Sequence, residues 1–190
     1  MKKPNRSLNS LSSDPGWTLF LDRDGVINQR IVGGYVTHSS DFVLLPGITE
    51  AIPMLNRFFR YTMVVTNQQG IGKGIMSEKQ LDEVHRFMLM EIEKDGGRID
   101  HVYFCPHLES VSPPCRKPRP GMALLARKEF PDIDFRRSVM AGDTKNDLLF
   151  GKRLGMVTVL IAPPSEARKM ADLVDYRFDS LFDFAMAIQI

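Results

Sequence analysis

Cysteine is scarce in this chain of 190 residues, which holds only Cys105 and Cys115. Two cysteines cannot form the disulfide framework that stabilises small secreted domains. Long apolar runs are also missing, since none approaches the roughly 20 residues that a membrane-spanning helix needs. The first 16 residues contain lysines but no apolar stretch behind them, so they lack the layout of a secretory signal. We therefore expect a cytoplasmic protein with reduced cysteines and no membrane contact.

An excess of charge of one sign is absent as well. The chain has 25 lysine and arginine residues against 23 aspartate and glutamate residues, for a net charge of +2. This balance is too even to indicate nucleic-acid binding by itself. The apolar share of 43% and the charged share of 25% are typical of globular proteins and exclude collagen-like, coiled-coil and disordered chains. Because the length suits one domain, we expect a disordered leader over residues 1–16 and a single domain over residues 17–190.

Short apolar runs alternate with helical patterns along the chain. The apolar runs predict strands at 17–21, 62–65, 102–104, 138–141 and 157–161. Helical patterns occupy 47–59, 121–130, 146–154 and 180–188, and a further helix begins after a capping box at Ser77 and ends at Gly96. This order predicts an α/β fold with a doubly wound, Rossmann-like, mostly parallel sheet and helices on both faces.

Polar side chains follow three of the predicted strands, at the edge where open α/β sheets bind their ligands. They are Asp22 and Asp24 after the first strand, Thr66, Asn67 and Gln68 after the second, and Asp143 and Asp147 after the fourth. Paired carboxylates can attack and transfer protons if a cation offsets their repulsion, and hydroxyl and amide groups can donate to a phosphate. Each group taken alone also fits a turn or a helix cap. Their joint occurrence favours phosphoryl transfer with a divalent cation, for which Mg²⁺ is the natural candidate.

Basic residues supply the positive charge that a phosphate needs. Lys73 lies in a glycine-rich segment that is not a Walker phosphate loop, because Asn67 stands where that loop has its first glycine. We predict a flexible loop beside the site instead. Arg116 and Lys117 precede a predicted helix, where a basic pair suits an anion, and a solvated basic turn is the alternative.

Four segments resemble the signature motifs of the haloacid dehalogenase (HAD) superfamily of phosphatases. They are LFLDRDGVIN, VVTNQQGIGKG, CRKPRPGM and MAGDTKND, and the resemblance extends from about residue 17 to about residue 161. It implies a HAD-like fold without a large cap domain. It also implies that Asp22 is the nucleophile, which forms an aspartyl-phosphate, and that Asp24 protonates the leaving oxygen and then activates water.

The same resemblance implies a metal site and a phosphate site. Mg²⁺ would be bound by Asp22, the backbone carbonyl of Asp24 and Asp143. Asp147 would stabilise this site without binding the metal itself. Thr66, Asn67 and Lys117 would hold the phosphoryl oxygens, with Gln68 a further donor. Arg116 and Lys73 are candidates for the sugar or its second phosphate.

Within the superfamily, the chain is similar to the small branch whose members act on heptose bisphosphates and on histidinol phosphate. We expect Mg²⁺-dependent removal of the 7-phosphate of D-glycero-D-manno-heptose 1,7-bisphosphate, a step toward activated heptose for surface glycans. A short insert between His107 and Cys115 favours histidinol phosphate as the alternative substrate, and a polynucleotide 3′-phosphate is the third. The expected partner is a small phosphorylated sugar, with neither nucleic acid nor membrane, and the expected state is a monomer.

Zinc is the open question on cofactors. Members of this branch carry a structural zinc site of the form Cys-x-His, loop, Cys-x-Cys. Cys105, His107 and Cys115 remain here, but Pro113 replaces the fourth ligand. Structural zinc is almost always four-coordinate, so we expect an incomplete site that is more often empty than filled.

Overall fold

A computed structural model describes residues 16–188; residues 1–15, where most of the predicted leader falls, and residues 189–190 lie outside the described range. Six strands form one sheet in the order β3-β2-β1-β4-β5-β6, and every neighbouring pair is parallel. The strands are β1 Trp17–Leu21, β2 Phe59–Asn67, β3 His101–Cys105, β4 Ser138–Gly142, β5 Val157–Ile161 and β6 Tyr176–Phe178. The helices are α1 Ile48–Leu55, α2 Glu78–Lys94, α3 Gly121–Glu129, α4 Lys145–Leu154, α5 Pro164–Lys169 and α6 Leu181–Ile188. The prediction of a doubly wound parallel α/β sheet is confirmed.

Both faces of the sheet are covered, which explains the continuous apolar runs in its strands. All five residues of β1 are buried. Leu19 faces a core built with α1, α2 and α6, and the next residue, Phe20, faces a second core built with α3 and α4. No helix in the described range is long and apolar enough to cross a membrane.

One predicted helix is too long, and two elements were not predicted. The helix predicted over 47–59 ends at Leu55, and Phe59 instead begins β2, where it is buried and pairs with Trp17 of β1. Burial of this aromatic ring in the sheet core prevails over the helical spacing. Strand β6 and helix α5 were not predicted, because the three residues of β6 are only half-buried and α5 begins at Pro164, within a proline pair that predicts a turn.

The order of the strands creates the site. The chain moves outward from β1 to β3 and then returns to β4 on the other side of β1. A crevice opens where the order reverses, beyond the carboxyl ends of β1 and β4. Asp22 follows β1 and Asp143 follows β4, so the fold brings the first and fourth motifs together.

Candidate active site

Asp22 is held rigidly at the end of β1. Its backbone N–H donates to the carbonyl of Ala141 in β4 at 3.0 Å. Its Oδ1 accepts from the backbone N–H of Arg23 and from Lys117 Nζ, each at 2.8 Å. Burial, together with the charge of Asp147, raises the pKa of Asp22 to about 6 against the opposing effect of Lys117. Because Oδ1 has two donors, Oδ2 is the oxygen that remains to react.

Asp24 lies beside the nucleophile with both carboxylate oxygens bound. Arg23 Nη2 donates to its Oδ1 at 2.9 Å and to its Oδ2 at 3.0 Å, Asn28 Nδ2 donates to Oδ1 at 3.0 Å, and Gln68 Nε2 donates to Oδ2 at 2.8 Å. Burial opposes the negative charge, but the Arg23 guanidinium and these hydrogen bonds outweigh it and lower the pKa of Asp24. These contacts therefore favour the anionic form of the carboxylate in the protein without substrate.

Lys117 is a buried cation between two carboxylates. Its Nζ lies 2.8 Å from Asp22 Oδ1 and 2.6 Å from Asp147 Oδ1. Burial lowers the pKa of Lys117, but Asp147 and Asp22 outweigh that effect and raise it. Asn67 fixes the backbone of this segment, because its Oδ1 accepts from the Lys117 N–H at 2.9 Å and its Nδ2 donates to the Lys117 carbonyl at 3.1 Å. The third motif is thus fastened to the end of β2.

Three carboxylates form a candidate metal centre. Asp22, Asp143 and Asp147 each offer one oxygen, and these oxygens lie within 4.8 Å of one another. Both Asp147 oxygens have partners, Oδ1 in the ion pair with Lys117 and Oδ2 as acceptor from the Thr144 N–H, which agrees with a supporting role. Burial and the charge of Asp22 raise the pKa of Asp143 to about 7.

Arg30 brings a cation to the centre of this cluster. Its Nη2 lies 2.6 Å from the Asp24 carbonyl oxygen, 2.8 and 2.9 Å from the two Asp143 oxygens and 3.7 Å from Asp22 Oδ2. A carbonyl and two carboxylates that converge on one positive group are the hard oxygen ligands that Mg²⁺ prefers. The donor set therefore fits the expected metal, with a guanidinium nitrogen standing where the ligands converge.

Gly25 allows the loop to pass close to this centre. Its φ of +94° lies in the left-handed region, and a Cβ there would stand 2.2 Å from Asp143 Oδ2. Any side chain at this position would displace a candidate metal ligand.

A cavity of about 450 Å³ opens above Asp22. Its lining includes most of the predicted site residues together with the loop that follows the first motif. The members named here are Asp22, Asp24, Thr66, Asn67, Lys73, Arg116, Lys117, Asp147 and the loop 30–36. Gln68 and Asp143 are not part of this lining. Asp143 lies at the candidate metal centre, and Gln68 is buried, with its amide donating to Asp24 and to Thr66 Oγ1. Its geometry is that of a support for Asp24 rather than a phosphate donor.

The two outer basic residues differ in their surroundings. Lys73 is exposed, with its Nζ 5.5 Å from the centre of the Tyr35 ring. Arg116 Nη2 donates to Glu109 at 3.2 Å, while its Nε and Nη1 are buried without a hydrogen-bond partner. Buried donors of this kind call for an acceptor, which a ligand anion would supply.

The cysteines do not form the expected metal ligands. Cys105 and Cys115 are joined by a disulfide, with their Cα atoms 5.4 Å apart, and His107 is exposed. The prediction of reduced cysteines is therefore wrong, because the end of β3 lies directly against the third motif. Disulfide sulfurs are not the thiolates that zinc requires. Within residues 16–188, the three aspartates above are the one group of acidic, histidine or cysteine residues close enough to hold a metal.

Sequence reasoning missed three residues of this site. Arg23, Arg30 and His85 were not among the candidate residues. The signal for Arg23 is its place between the two motif aspartates. Arg30 and His85 carry no local signal, because the fold alone brings them to Asp143 and Arg23.

The sheet, the strand-end aspartates and the buried lysine define a phosphatase of the HAD type. In agreement, the HAD-hydrolase-like family model matches residues 114–183. A D-glycero-alpha-D-manno-heptose-1,7-bisphosphate 7-phosphatase of Mycobacterium bovis is 39% identical over 173 residues, which cover 90% of this chain and 91% of that protein. A D-glycero-beta-D-manno-heptose-1,7-bisphosphate 7-phosphatase of Rhodopseudomonas palustris is 41% identical over 144 residues, which cover 72% of this chain and 78% of that protein.

A solved structure agrees with these relatives. The D,D-heptose 1,7-bisphosphate phosphatase of B. bronchiseptica, complexed with magnesium and phosphate, superposes with a TM-score of 0.81 at 27% identity, covering 91% of this chain and 98% of that one. The chain belongs to the HAD superfamily and, within it, to the family of heptose bisphosphate 7-phosphatases.

Proposed function

We propose that this enzyme removes the 7-phosphate of D-glycero-D-manno-heptose 1,7-bisphosphate and leaves the 1-phosphate in place. The observation that carries the proposal is that Asp22 and Asp24 line one cavity together with the basic residues Lys73, Arg116 and Lys117. The similarity to phosphatases of both anomers, over 90% of this chain for the alpha relative and 72% for the beta relative, supports this substrate.

Asp22 Oδ2 attacks the phosphorus of the 7-phosphate. The new bond forms between Oδ2 and phosphorus as the bond from phosphorus to the C7 oxygen breaks. Lys117 and the Arg23 N–H hold Oδ1, so the free oxygen points in one direction. Asp24 gives a proton to the departing C7 oxygen, and the sugar leaves as an alcohol. An incoming phosphate dianion raises the pKa of the neighbouring Asp24 and so favours the protonated form this step needs.

Water then releases the phosphate. Asp24, now anionic, takes a proton from a water molecule as its oxygen bonds to phosphorus. The bond to Asp22 Oδ2 breaks, inorganic phosphate leaves and the Asp22 carboxylate is restored. The donors around Asp24 stabilise the anion that this step uses.

Mg²⁺ would be held by Asp22, the Asp24 carbonyl and Asp143, and it would supply positive charge that offsets the negative charge of the phosphate. Thr66 Oγ1 accepts from Gln68 at 2.9 Å, so its own O–H is free to donate to a phosphoryl oxygen. Lys117 contributes a second positive charge from below. These positive charges offset the repulsion between the anionic Asp22 and the anionic phosphate, so the two can come close enough for attack.

Arg116 and Lys73 would bind the far end of the substrate. Arg116 lines the same cavity as the nucleophile, and its buried Nε and Nη1 have no hydrogen-bond partner. A guanidinium with two free donors suits a phosphate, here the 1-phosphate of the sugar. Histidinol phosphate has one phosphate only and would leave these donors without an anion.

The test compares phosphate release from both anomers of the heptose bisphosphate, from histidinol phosphate and from a 3′-phosphorylated oligonucleotide, all with Mg²⁺. We expect the highest kcat/KM for one heptose anomer and no turnover by Asp22→Asn. A higher kcat/KM for histidinol phosphate or the oligonucleotide would overturn the proposed substrate. Cytoplasmic location and a monomeric state remain predictions, and sedimentation of the purified protein checks the second.

A further inference from the structure

A buried cation lies behind the proton-transfer residue. The Arg23 side chain is fully buried and its guanidinium holds Asp24 through Nη2, at 2.9 and 3.0 Å, and through Nε at 3.3 Å. The remaining nitrogen, Nη1, lies 3.0 Å from His85 Nε2. His85 belongs to α2, so this contact joins the site to a helix 62 residues further along the chain.

His85 is neutral in this position. Burial and the nearby charge of Arg23 lower the pKa of His85 to about 3, and Asp24 opposes this only in part. A neutral imidazole has one nitrogen that accepts a hydrogen bond, and Nε2 is the one that faces the guanidinium. The proton of the ring therefore lies on Nδ1, and Nε2 accepts from Arg23 Nη1.

The arrangement fixes the direction in which the guanidinium points. A guanidinium is planar with a fixed set of donors, so an acceptor on Nη1 determines where Nη2 and Nε lie. Without His85, Arg23 would keep its charge but lose one of its two anchors and leave a buried N–H unpaired. Asp24 would keep its hydrogen bonds from Asn28 and Gln68, but the guanidinium that contacts both of its oxygens would be less well fixed, and so would the carboxylate relative to Asp22.

We propose that His85 and Arg23 are positioning residues, which hold the Asp24 carboxylate where it exchanges protons with the leaving oxygen and the attacking water. The inference rests on the proposed function, because it needs Asp24 to be the proton donor. It gives α2 a role in the rate of phosphoryl transfer although His85 touches neither substrate nor metal ligands.

Leaving groups separate this role from a purely structural one. An alkyl phosphate such as the heptose bisphosphate releases a strongly basic oxygen that needs a proton, whereas p-nitrophenyl phosphate releases a weak base that does not. A positioned general acid contributes roughly 100-fold or more to the rate where it is needed. A variant that merely loosens the fold slows both substrates alike.

The experiment measures kcat and KM of the wild type, His85→Gln, His85→Asn and His85→Phe on the two substrates. In His85→Phe and His85→Asn we expect kcat/KM for the alkyl phosphate to fall roughly 10- to 100-fold, with that for the aryl phosphate within about threefold. The comparison uses kcat/KM because this constant reports the steps up to release of the leaving group, whereas kcat also contains the hydrolysis of the aspartyl-phosphate, which both substrates share. His85→Gln, whose longer amide keeps an acceptor near Nη1, should restore the alkyl rate to within about threefold of the wild type. Val84→Ala, a core truncation in the same helix, is the matched control: it should lower the melting temperature and leave the ratio of the two rates unchanged.

Two results would overturn the proposal. One is an equal loss of kcat/KM on both substrates in His85→Phe. The other is an unchanged kcat/KM for the alkyl phosphate in a folded His85→Asn. If His85→Phe does not fold, His85→Asn decides alone. The wild type could instead fail to hydrolyse the heptose bisphosphate but hydrolyse another alkyl phosphate. That result would contradict the proposed substrate, and the role of His85 would then be tested with the second alkyl phosphate.

Discussion

Arg30 should compete with Mg²⁺ for the metal site, so removing its side chain should strengthen metal binding. Its Nη2 touches the Asp24 carbonyl at 2.6 Å and Asp143 at 2.8 and 2.9 Å, which are the atoms a metal would use. The side chain is 43% exposed, so solvent screens these contacts. We take their joint contribution as about 1–2 kcal/mol. At a factor of ten per 1.4 kcal/mol, Arg30→Ala should bind Mg²⁺ roughly 5- to 30-fold more tightly.

Titration calorimetry of metal-free protein with Mg²⁺, in the absence of substrate, measures this difference directly. Arg30→Lys keeps the charge without the guanidinium fork and should fall between the wild type and Arg30→Ala. Arg57→Ala, at an exposed arginine after α1, is the control and should bind Mg²⁺ as the wild type does. Equal or weaker Mg²⁺ binding by Arg30→Ala would refute the reasoning, because Arg30 would then not occupy the position of the metal.

Three further predictions concern the same centre and its neighbourhood. The pKa values of Asp22 and Asp143 are raised to about 6 and about 7 in the metal-free protein, so both groups must lose protons before the metal binds. Mg²⁺ affinity measured by calorimetry should therefore rise from about pH 5 to about pH 8, with release of protons. An affinity that does not change over this pH range would contradict the prediction. Gly25→Ala should lower the free energy of unfolding by at least about 1 kcal/mol and weaken Mg²⁺ binding, because the added Cβ would stand 2.2 Å from Asp143 Oδ2. Denaturant melts measure the stability and calorimetry measures the Mg²⁺ affinity. Wild-type values of the two quantities would contradict the prediction. Protein purified without reductant or added zinc should show no free thiol at Cys105 or Cys115 and no bound zinc; two titratable thiols with stoichiometric zinc would reverse this.

Much of this site could be predicted because topology fixes it. Asp22 and Asp143 follow strands whose apolar runs identify them, and parallel strands bring their carboxyl ends to one edge. The resemblance implied a phosphate-binding role for Lys117, but its burial and its contact with Asp147 needed the fold. Arg30 lies in a loop without periodicity, so its arrival at Asp143 depends on how that loop folds over the sheet.

The remaining errors have a common physical cause, which is contact between segments distant in sequence. Phe59 fits a helical spacing, yet pairing with Trp17 buries its ring in the sheet. The disulfide forms because the end of β3 lies against the third motif, and the spacing of the two cysteines in the sequence does not predict this contact. Gln68 follows a strand as a phosphate donor would, but its amide turns back to Asp24.

The position of the phosphate that is lost tests the central claim most directly. Phosphorus NMR of the heptose bisphosphate, followed during turnover with the wild-type enzyme and Mg²⁺, distinguishes the phosphate at C1 from that at C7. The account predicts that the C7 signal disappears as inorganic phosphate accumulates, while the C1 signal remains. Loss of the C1 signal first, or no loss of either, would contradict it.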